Sequence, residues 1–309
     1  MRYLTRDFVE TRDELFFAVV ASGTEEERVP AFLRYVRGRE GLRKVGTAEA
    51  NHLLRDAHPE YLFHSSLRDV DLHGVPLARI RRHHQPRIRA AALAKSLDRD
   101  PMKRKARRAL ALLVDAGVPL ASLGVTGSLL VDAHTERSDI DLVVYDREDF
   151  LRAREAVRAA TADGDFEPMD AGFWQDAFAR RACSLTLEEY IWHERRKHNK
   201  FVIGGTKVDI GLIAPGSPRT EGRWRKLGRT WILAQVAGDH AAFDYPARYS
   251  IRHPEIPEVV SYTNTFTGQA RRGETILARG WREESEDGDR RLLVGTSREA
   301  DGEFIKVVR

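Results

Sequence analysis

The stretch that decides the fold is GVTGSLLVDAHTERSDIDLVVYD, residues 124–146. Its last part, DLVVYD, is rich in β-branched and aromatic residues, which predicts a strand. Side chains two residues apart on a strand point to the same face, so Asp139 and Asp141 are predicted to lie side by side. Neighbouring carboxylates repel and raise each other's pKa. Such a pair needs a cation, and a hard divalent ion such as Mg²⁺ is the common solution.

A third acid follows in the run KFVIGGTKVDIGLIA, residues 200–214. The glycine pair Gly204-Gly205 between two apolar segments predicts a β-hairpin. Asp209 lies in the second of these strands among Val, Ile and Leu. We expect it to face inward and complete a metal-binding face, and the alternative is an acid on an edge strand that faces solvent.

The Gly127-Ser128 pair predicts a turn that approaches a ligand closely, because glycine has no side chain to obstruct it. A helix that began after this turn would direct its N–H groups at phosphate oxygens. Ser128 adds a hydroxyl donor. A phosphate cradle beside a metal face suits nucleotidyl transfer, in which two metal ions clamp both oxygens of an in-line displacement.

The segment TGSLLVDAHTERSDIDLVV resembles the signature of the nucleotidyltransferase superfamily, which includes DNA polymerase β, poly(A) polymerases and CCA-adding enzymes. That signature is a Gly-Ser turn, then Asp-x-Asp, then a third acid on a later strand. Gly127-Ser128, Asp139, Asp141 and Asp209 match it in order and type. The resemblance covers residues 103–213. The segments RDFVETRDELFF and SYTNTFTGQARRGETILARG are also similar to predicted archaeal nucleotidyltransferases.

The resemblance implies an α/β (α+β) fold with a polymerase β-like core built on a mixed sheet. It implies transfer of a nucleoside monophosphate from an NTP such as ATP to an acceptor hydroxyl, with release of pyrophosphate. Asp139, Asp141 and Asp209 would be catalytic and would hold Mg²⁺ or Mn²⁺. Gly127 and Ser128 would bind the nucleotide.

One departure from the family pattern follows the turn. Small bacterial members often have a basic residue there, whereas this chain has Leu129 and Leu130. Arg137 and Lys207 are the candidates to contact the triphosphate instead. The departure also leaves open a non-catalytic nucleic-acid-binding or regulatory protein that keeps the fold.

Three regions are predicted along the chain: an N-terminal α+β region over 1–85, the core with flanking helices over 86–258, and a small antiparallel β module over 259–309. Within the core, Asp100 as N-cap, Pro101 at the first position and Gly117 as the stop predict a helix. The segment EGRWRKLGRTWILAQVAGD, residues 221–239, is also predicted to be helical.

Composition constrains the partners. The 309 residues include 51 Lys and Arg against 47 Asp and Glu, a net charge of +4, and 42 of the basic residues are arginine. This excess of arginine either suits phosphate recognition or reflects the base composition of the genome. The clusters RIRRHHQPRIR, KRKARR and HERRKHNK predict either a track for RNA or DNA or separate solvated helix faces. The acceptor therefore stays open among a nucleic-acid end, which the charge favours slightly, a protein and a small molecule.

The sequence contains no second cysteine, no membrane-spanning run and no signal peptide, and these three features predict the cellular location. A single cysteine, Cys183, excludes an intramolecular disulfide. No run is long and apolar enough for a membrane span, and the charged N-terminus does not resemble a signal peptide. We expect a cytoplasmic protein without a membrane partner, and the sequence does not indicate an oligomeric state.

Overall fold

The computed structural model describes residues 2–181, 183–214, 222–295 and 302–309. These residues form three sheets and six α-helices, so the predicted mixed α+β class is confirmed at that level. Contacts divide the chain into two compact units. The first comprises Met1–Ser66, Val70–Glu167 and Phe201–Pro218, and the second Leu67–Asp69, Pro168–Lys200 and Arg219–Arg309. The predicted three-part division of the sequence stays a prediction.

The first unit begins with a seven-stranded sheet covered by one helix. Its strands run in the order β5-β6-β3-β2-β1-β7, and β4 pairs with β3. The core between sheet and helix includes Phe17, Leu33 and Leu54, all buried. The elements are β1 (Phe8–Thr11), β2 (Leu15–Val19), β3 (Arg28–Gly38), β4 (Gly41–Lys44), α1 (Thr47–Ala57), β5 (Leu62–Ser65), β6 (Val70–Pro76) and β7 (Ile80–His84).

A four-stranded mixed sheet in the order β10-β11-β9-β8 completes the first unit. Strand β11 runs parallel to β9, and β8 runs antiparallel to it. The predicted helix is confirmed: the Asp100 side chain accepts from the Lys103 N–H, and Pro101 opens α3. The elements are α2 (Pro86–Lys95), α3 (Pro101–Asp115), β8 (Leu123–Thr126), β9 (Ile140–Val144), α4 (Arg147–Asp163), β10 (Lys200–Ile203) and β11 (Thr206–Leu212).

The second unit contains a six-stranded sheet that closes on itself. Its order is β12-β13-β14-β16-β15-β17, and β12 also pairs with β15. The sequence predicts a small antiparallel β module over 259–309, but β14 and β16 run parallel, so this prediction is wrong for that pair of strands. The elements are α5 (Ala171–Ala179), α6 (Leu187–Arg195), β12 (Trp224–Gly238), β13 (Ala247–Arg252), β14 (Glu258–Ser261), β15 (Thr275–Ser285), β16 (Arg290–Val294) and β17 (Phe304–Val307).

The prediction of a helix over 221–239 is wrong for its described residues, which form strand β12 from Trp224. Ile232, Ala234 and Val236 are buried, and the residues between them are exposed. This alternation is the two-residue period of a strand, and burial of one face outweighs the helix-compatible spacing of the same apolar residues. No helix among the described residues combines the length and the apolar character needed to cross a membrane.

Candidate active site

Two of the three aspartates are direct neighbours across two strands. Asp141 on β9 is the register partner of Asp209 on β11, and the strands are parallel. Asp139 immediately precedes β9, two residues before Asp141. Strand β9 has Ile140, Leu142 and Val144 fully buried on its other face, which fixes which side chains face the site. Residues far apart in sequence thus bring three carboxylates to one face of this sheet.

Lys207 lies between two of these carboxylates. Its Nζ is 2.7 Å from Oδ2 of Asp209 and 3.2 Å from Oδ2 of Asp139, and its side chain is only 5% exposed. A buried ammonium with two carboxylate partners offsets their mutual repulsion. The structure therefore places Lys207 within the aspartate cluster. Arg137, the other predicted triphosphate contact, is exposed in the loop before Asp139.

The Gly127-Ser128 turn packs directly on Asp141. Gly127 has φ +65°, and a Cβ added there would lie 2.3 Å from Oδ2 of Asp141. Glycine is therefore required at this position on two grounds, the left-handed backbone and the close approach of the carboxylate. Ser128 is partly buried next to it.

The expected helix after the turn is only a three-residue 3₁₀ turn, Gly127–Leu129. The two leucines that depart from the family pattern explain why. Leu129 is buried, and Leu130 packs in a cluster with Phe8, Phe16 and Tyr35 of the seven-stranded sheet. Their burial turns the chain inward before a longer helix can form, so these positions contribute to packing in this protein.

Arg89 of helix α2 anchors the Gly127–Leu129 turn. Nε of Arg89 on α2 donates to the Leu129 carbonyl at 2.7 Å, and its Nη2 contacts the Asp132 carboxylate. The cluster RIRRHHQPRIR, which contains Arg89, is thus engaged in pairing within the first unit. His83 and His84 pair with Asp7 and Glu10 there.

The other two basic clusters also carry structural contacts. In KRKARR, Lys103 pairs with Asp98 at 2.8 Å, and Lys105 donates to the Gly204 carbonyl of the hairpin that leads into β11. In HERRKHNK, Lys197 is buried, pairs with Glu194 and donates to the Thr265 carbonyl in the second unit. These lysines stabilise their own units, and the predicted nucleic-acid track through all three clusters stays a prediction.

Arg6 is a site residue that sequence reasoning missed. The Thr126 hydroxyl donates to its carbonyl at 2.6 Å, which holds Arg6 at the end of β8. A Cβ on Gly211 of β11 would lie 3.7 Å from Nη2 of Arg6, so the guanidinium lies on the face of β11 that carries Asp209. No local pattern in the first ten residues indicates this long-range contact.

The electrostatics of the cluster favour a bound cation. Burial raises the pKa of the Asp141 carboxyl, and the Asp209 and Asp139 carboxylates raise it further. Arg6 and Lys207 act in the opposite direction and lower this pKa. Burial is the largest cause of this raised pKa, and a cation close to the Asp141 carboxyl would favour its ionised form.

The donor set suits a hard divalent ion. Three carboxylates provide the oxygen ligands that Mg²⁺ and Mn²⁺ prefer, and Gly127 leaves space beside Oδ2 of Asp141. Among the described residues, Asp13, His58 and Glu60 form a group whose ligand atoms all lie within 4.8 Å of one another, whereas Asp139, Asp141 and Asp209 do not form such a group. Arg79 lies 3.9 Å from Asp13 and 3.8 Å from Glu60 and balances the charge of that group.

Comparison with known proteins finds one full-length similarity. The chain is 34% identical to Uncharacterized protein MJ1086 of Methanocaldococcus jannaschii over an alignment 340 positions long, which covers 100% of both chains. No protein-family model matches the chain. No solved structure matches it either.

Proposed function

The chain belongs to the family of the archaeal protein MJ1086, and we propose that it is a Mg²⁺-dependent nucleotidyltransferase with a polymerase β-like core. One observation carries the proposal: Asp141 and Asp209 are register partners on neighbouring parallel strands, and the Gly127 turn packs against the Asp141 carboxylate. This arrangement supports the proposal, because it puts the turn that would bind phosphate beside an acidic face. The match of Gly-Ser, Asp-x-Asp and a later acid supports the same assignment.

In the proposed reaction, an acceptor hydroxyl oxygen attacks the α-phosphorus of an NTP. The bond from the α-phosphorus to the oxygen that bridges it to the β-phosphorus breaks, and pyrophosphate leaves with the electron pair. Asp209, the third acid of the site, would accept the hydroxyl proton. Asp139, Asp141 and Asp209 would hold Mg²⁺ or Mn²⁺, which would supply positive charge to the attacking oxygen and to the triphosphate.

The remaining residues bind and orient the nucleotide. The Gly127-Ser128 turn donates backbone N–H groups and the Ser128 hydroxyl to phosphate oxygens. Lys207 offsets the charge of Asp139 and Asp209, and its ammonium would contact phosphate oxygens if a divalent ion took its place. Arg6 adds a second cation on this face.

The test is an acceptor screen with the full chain. The protein is incubated with each NTP labelled at the α-phosphate, Mg²⁺ or Mn²⁺, and a cell lysate, which is then separated into nucleic acid, protein and small-molecule fractions. We expect label in one fraction, and that fraction identifies the acceptor class. Label in none of them with either metal would contradict transfer and favour a non-catalytic protein that keeps the fold.

A further inference from the structure

An exposed face of the second unit carries aromatic and cationic side chains in register. On the paired strands β12, β15 and β17, Trp231 is opposite Arg279, and Arg279 is opposite Phe304. Residues directly opposite each other on neighbouring strands project to the same face. Trp231 is 65% exposed, although most tryptophans are largely buried. This face is therefore not part of the core.

The cross-strand pairs on either side of Trp231 also combine cationic residues with aromatic or aliphatic ones. Arg229 is opposite Trp281, and its guanidinium carbon lies 5.2 Å from the centre of that ring. On the other side of Trp231, Leu233 is opposite Leu277, which is opposite Lys306. Leu233 is 57% exposed. Lys306 also pairs with Glu189 of α6 at 2.8 Å. The residues that alternate with these positions point inward and are buried, including Ile232, Ala278 and Ile305.

We propose that this face of β12, β15 and β17 binds single-stranded nucleic acid, with bases stacked on Trp231 and the phosphate backbone on Arg229 and Arg279. Flat rings interleaved with cations match a ligand that alternates bases and phosphates. A purely apolar partner surface would leave the cations unpaired. None of the paired strand positions from Arg229–Trp281 to Leu233–Leu277–Lys306 is acidic, and the Glu189 carboxylate beside Lys306 is neutralised by that lysine.

The topology of the barrel agrees with this ligand class. Five strands close in the order β12-β13-β14-β16-β15, with one parallel pair. This is the arrangement of the OB-fold, a barrel that commonly binds oligonucleotides on its second and third strands. Here those strands, β13 and β14, carry an Arg248–Glu258 ion pair. The site is therefore assigned from the residues on β12, β15 and β17 and not from the position usual in that fold.

The experiment measures the affinity of the full-length protein for a fluorescein-labelled single-stranded oligonucleotide of about 12 nucleotides, within the range that one OB barrel covers. We expect Trp231→Ala to weaken binding by about 5-fold to about 150-fold, the range for one stacked base, and Trp231→Phe to retain most of the affinity. Arg279→Ala should reduce the slope of log affinity against log salt by about 0.7. Arg180→Ala is the matched control, because Arg180 is an exposed arginine just after α5. It should leave the affinity and the slope against salt unchanged.

Two results would overturn the proposal. One is equal oligonucleotide affinity for the wild type and Trp231→Ala. The other is the same unchanged affinity together with a sedimentation coefficient of Trp231→Ala that differs from that of the wild type, which would assign the face to a second copy of the chain. The proposal goes beyond the proposed transferase, because it requires no catalysis. Asp141→Asn should bind the oligonucleotide like the wild type, so a failure of transfer and a failure of binding are distinguishable.

Discussion

Asp141 on β9 lies directly opposite Asp209 on the parallel strand β11, and Lys207 bridges Asp209 to Asp139 with contacts of 2.7 and 3.2 Å. The three acids come from two segments that are separated by helices α4, α5 and α6 in the chain. The fold concentrates negative charge at this point and supplies a lysine to offset it. This relationship generates the first three predictions.

Removal of one carboxylate should slow transfer at least about 10²-fold without loss of the fold. Asp141→Asn and Asp209→Asn each remove one negative charge from the site at which the phosphate oxygens develop charge in the transition state. Loss of one preorganised electrostatic group costs about 10²–10³ in rate. Rates of label transfer and circular dichroism spectra check this. Asp165→Asn, an exposed acid after α4, should keep the wild-type rate. Variant rates within tenfold of wild type would remove these residues from the mechanism.

Lys207→Met should destabilise the metal-free protein by at least about 2 kcal/mol, because it leaves Asp139 and Asp209 facing each other without their buried cation. Added Mg²⁺ or Mn²⁺ should restore part of that stability, since a ligand that binds only the folded state stabilises it. Urea unfolding with and without each ion measures both effects. Lys105→Met is the control, because Lys105 donates to the Gly204 carbonyl and the Thr206 hydroxyl and forms no ion pair with an acid among the described residues. An equal response of both variants to the ions would argue against a metal site at the aspartates.

Gly127→Ala should eliminate transfer, whereas Gly117→Ala should not. Both glycines have positive φ, +65° and +86°, so each substitution carries a backbone strain of about 1 kcal/mol. A Cβ at Gly127 would also collide with Oδ2 of Asp141, whereas a Cβ at Gly117 has no heavy atom within 4 Å. Thermal unfolding and transfer rate, measured on both variants, separate strain from displacement of the carboxylate. Activity retained in Gly127→Ala would mean that the turn does not position Asp141.

Acid should destabilise the first unit through His73. Burial lowers the pKa of this histidine to about 4 from 6.5. Its Nδ1 accepts from the Leu33 N–H at 2.9 Å, and its Nε2 faces Oδ1 of Asn51, so a second ring proton has no acceptor. The folded state resists protonation, and stability that is present above pH 6.5 should be lost as the pH falls toward 4, by on the order of 3 kcal/mol.

Urea midpoints between pH 8 and pH 4 check the role of His73. His73→Gln should be less stable than the wild type at pH 8, and this difference should shrink as the pH falls. His52→Gln changes an exposed histidine and should follow the wild-type curve. Parallel curves for the wild type and His73→Gln would exclude His73 as the source of the acid sensitivity.

Local sequence signals predicted the elements that depend on local physics. The Asp100 cap and Pro101 defined the start of α3, and Gly204-Gly205 defined the turn between β10 and β11. Strand alternation placed Asp139 and Asp141 two residues apart on one face, and the structure adds that Asp209 is the direct partner of Asp141.

Contacts between distant segments could not be predicted in this way. Arg6 reaches the aspartate cluster only because the Thr126 hydroxyl holds its backbone, across 120 residues of sequence. Leu129 and Leu130 in place of a basic residue suggest a lost phosphate contact, whereas in the structure Leu129 is buried and Leu130 packs against residues of the seven-stranded sheet. Strand β12 was predicted to be a helix, because its apolar residues fit both periods and only burial in the closed sheet selects the strand.

The most direct test of the central claim compares two labels in the reaction with the acceptor fraction that the screen identifies. With Mg²⁺ present, an NTP labelled at the α-phosphate should label the acceptor, and the same NTP labelled at the γ-phosphate should release its label as pyrophosphate. Asp141→Asn and Asp209→Asn should lose both signals together. Label from the γ-phosphate on the acceptor, or undiminished α-label with either variant, would contradict nucleotidyl transfer at this site.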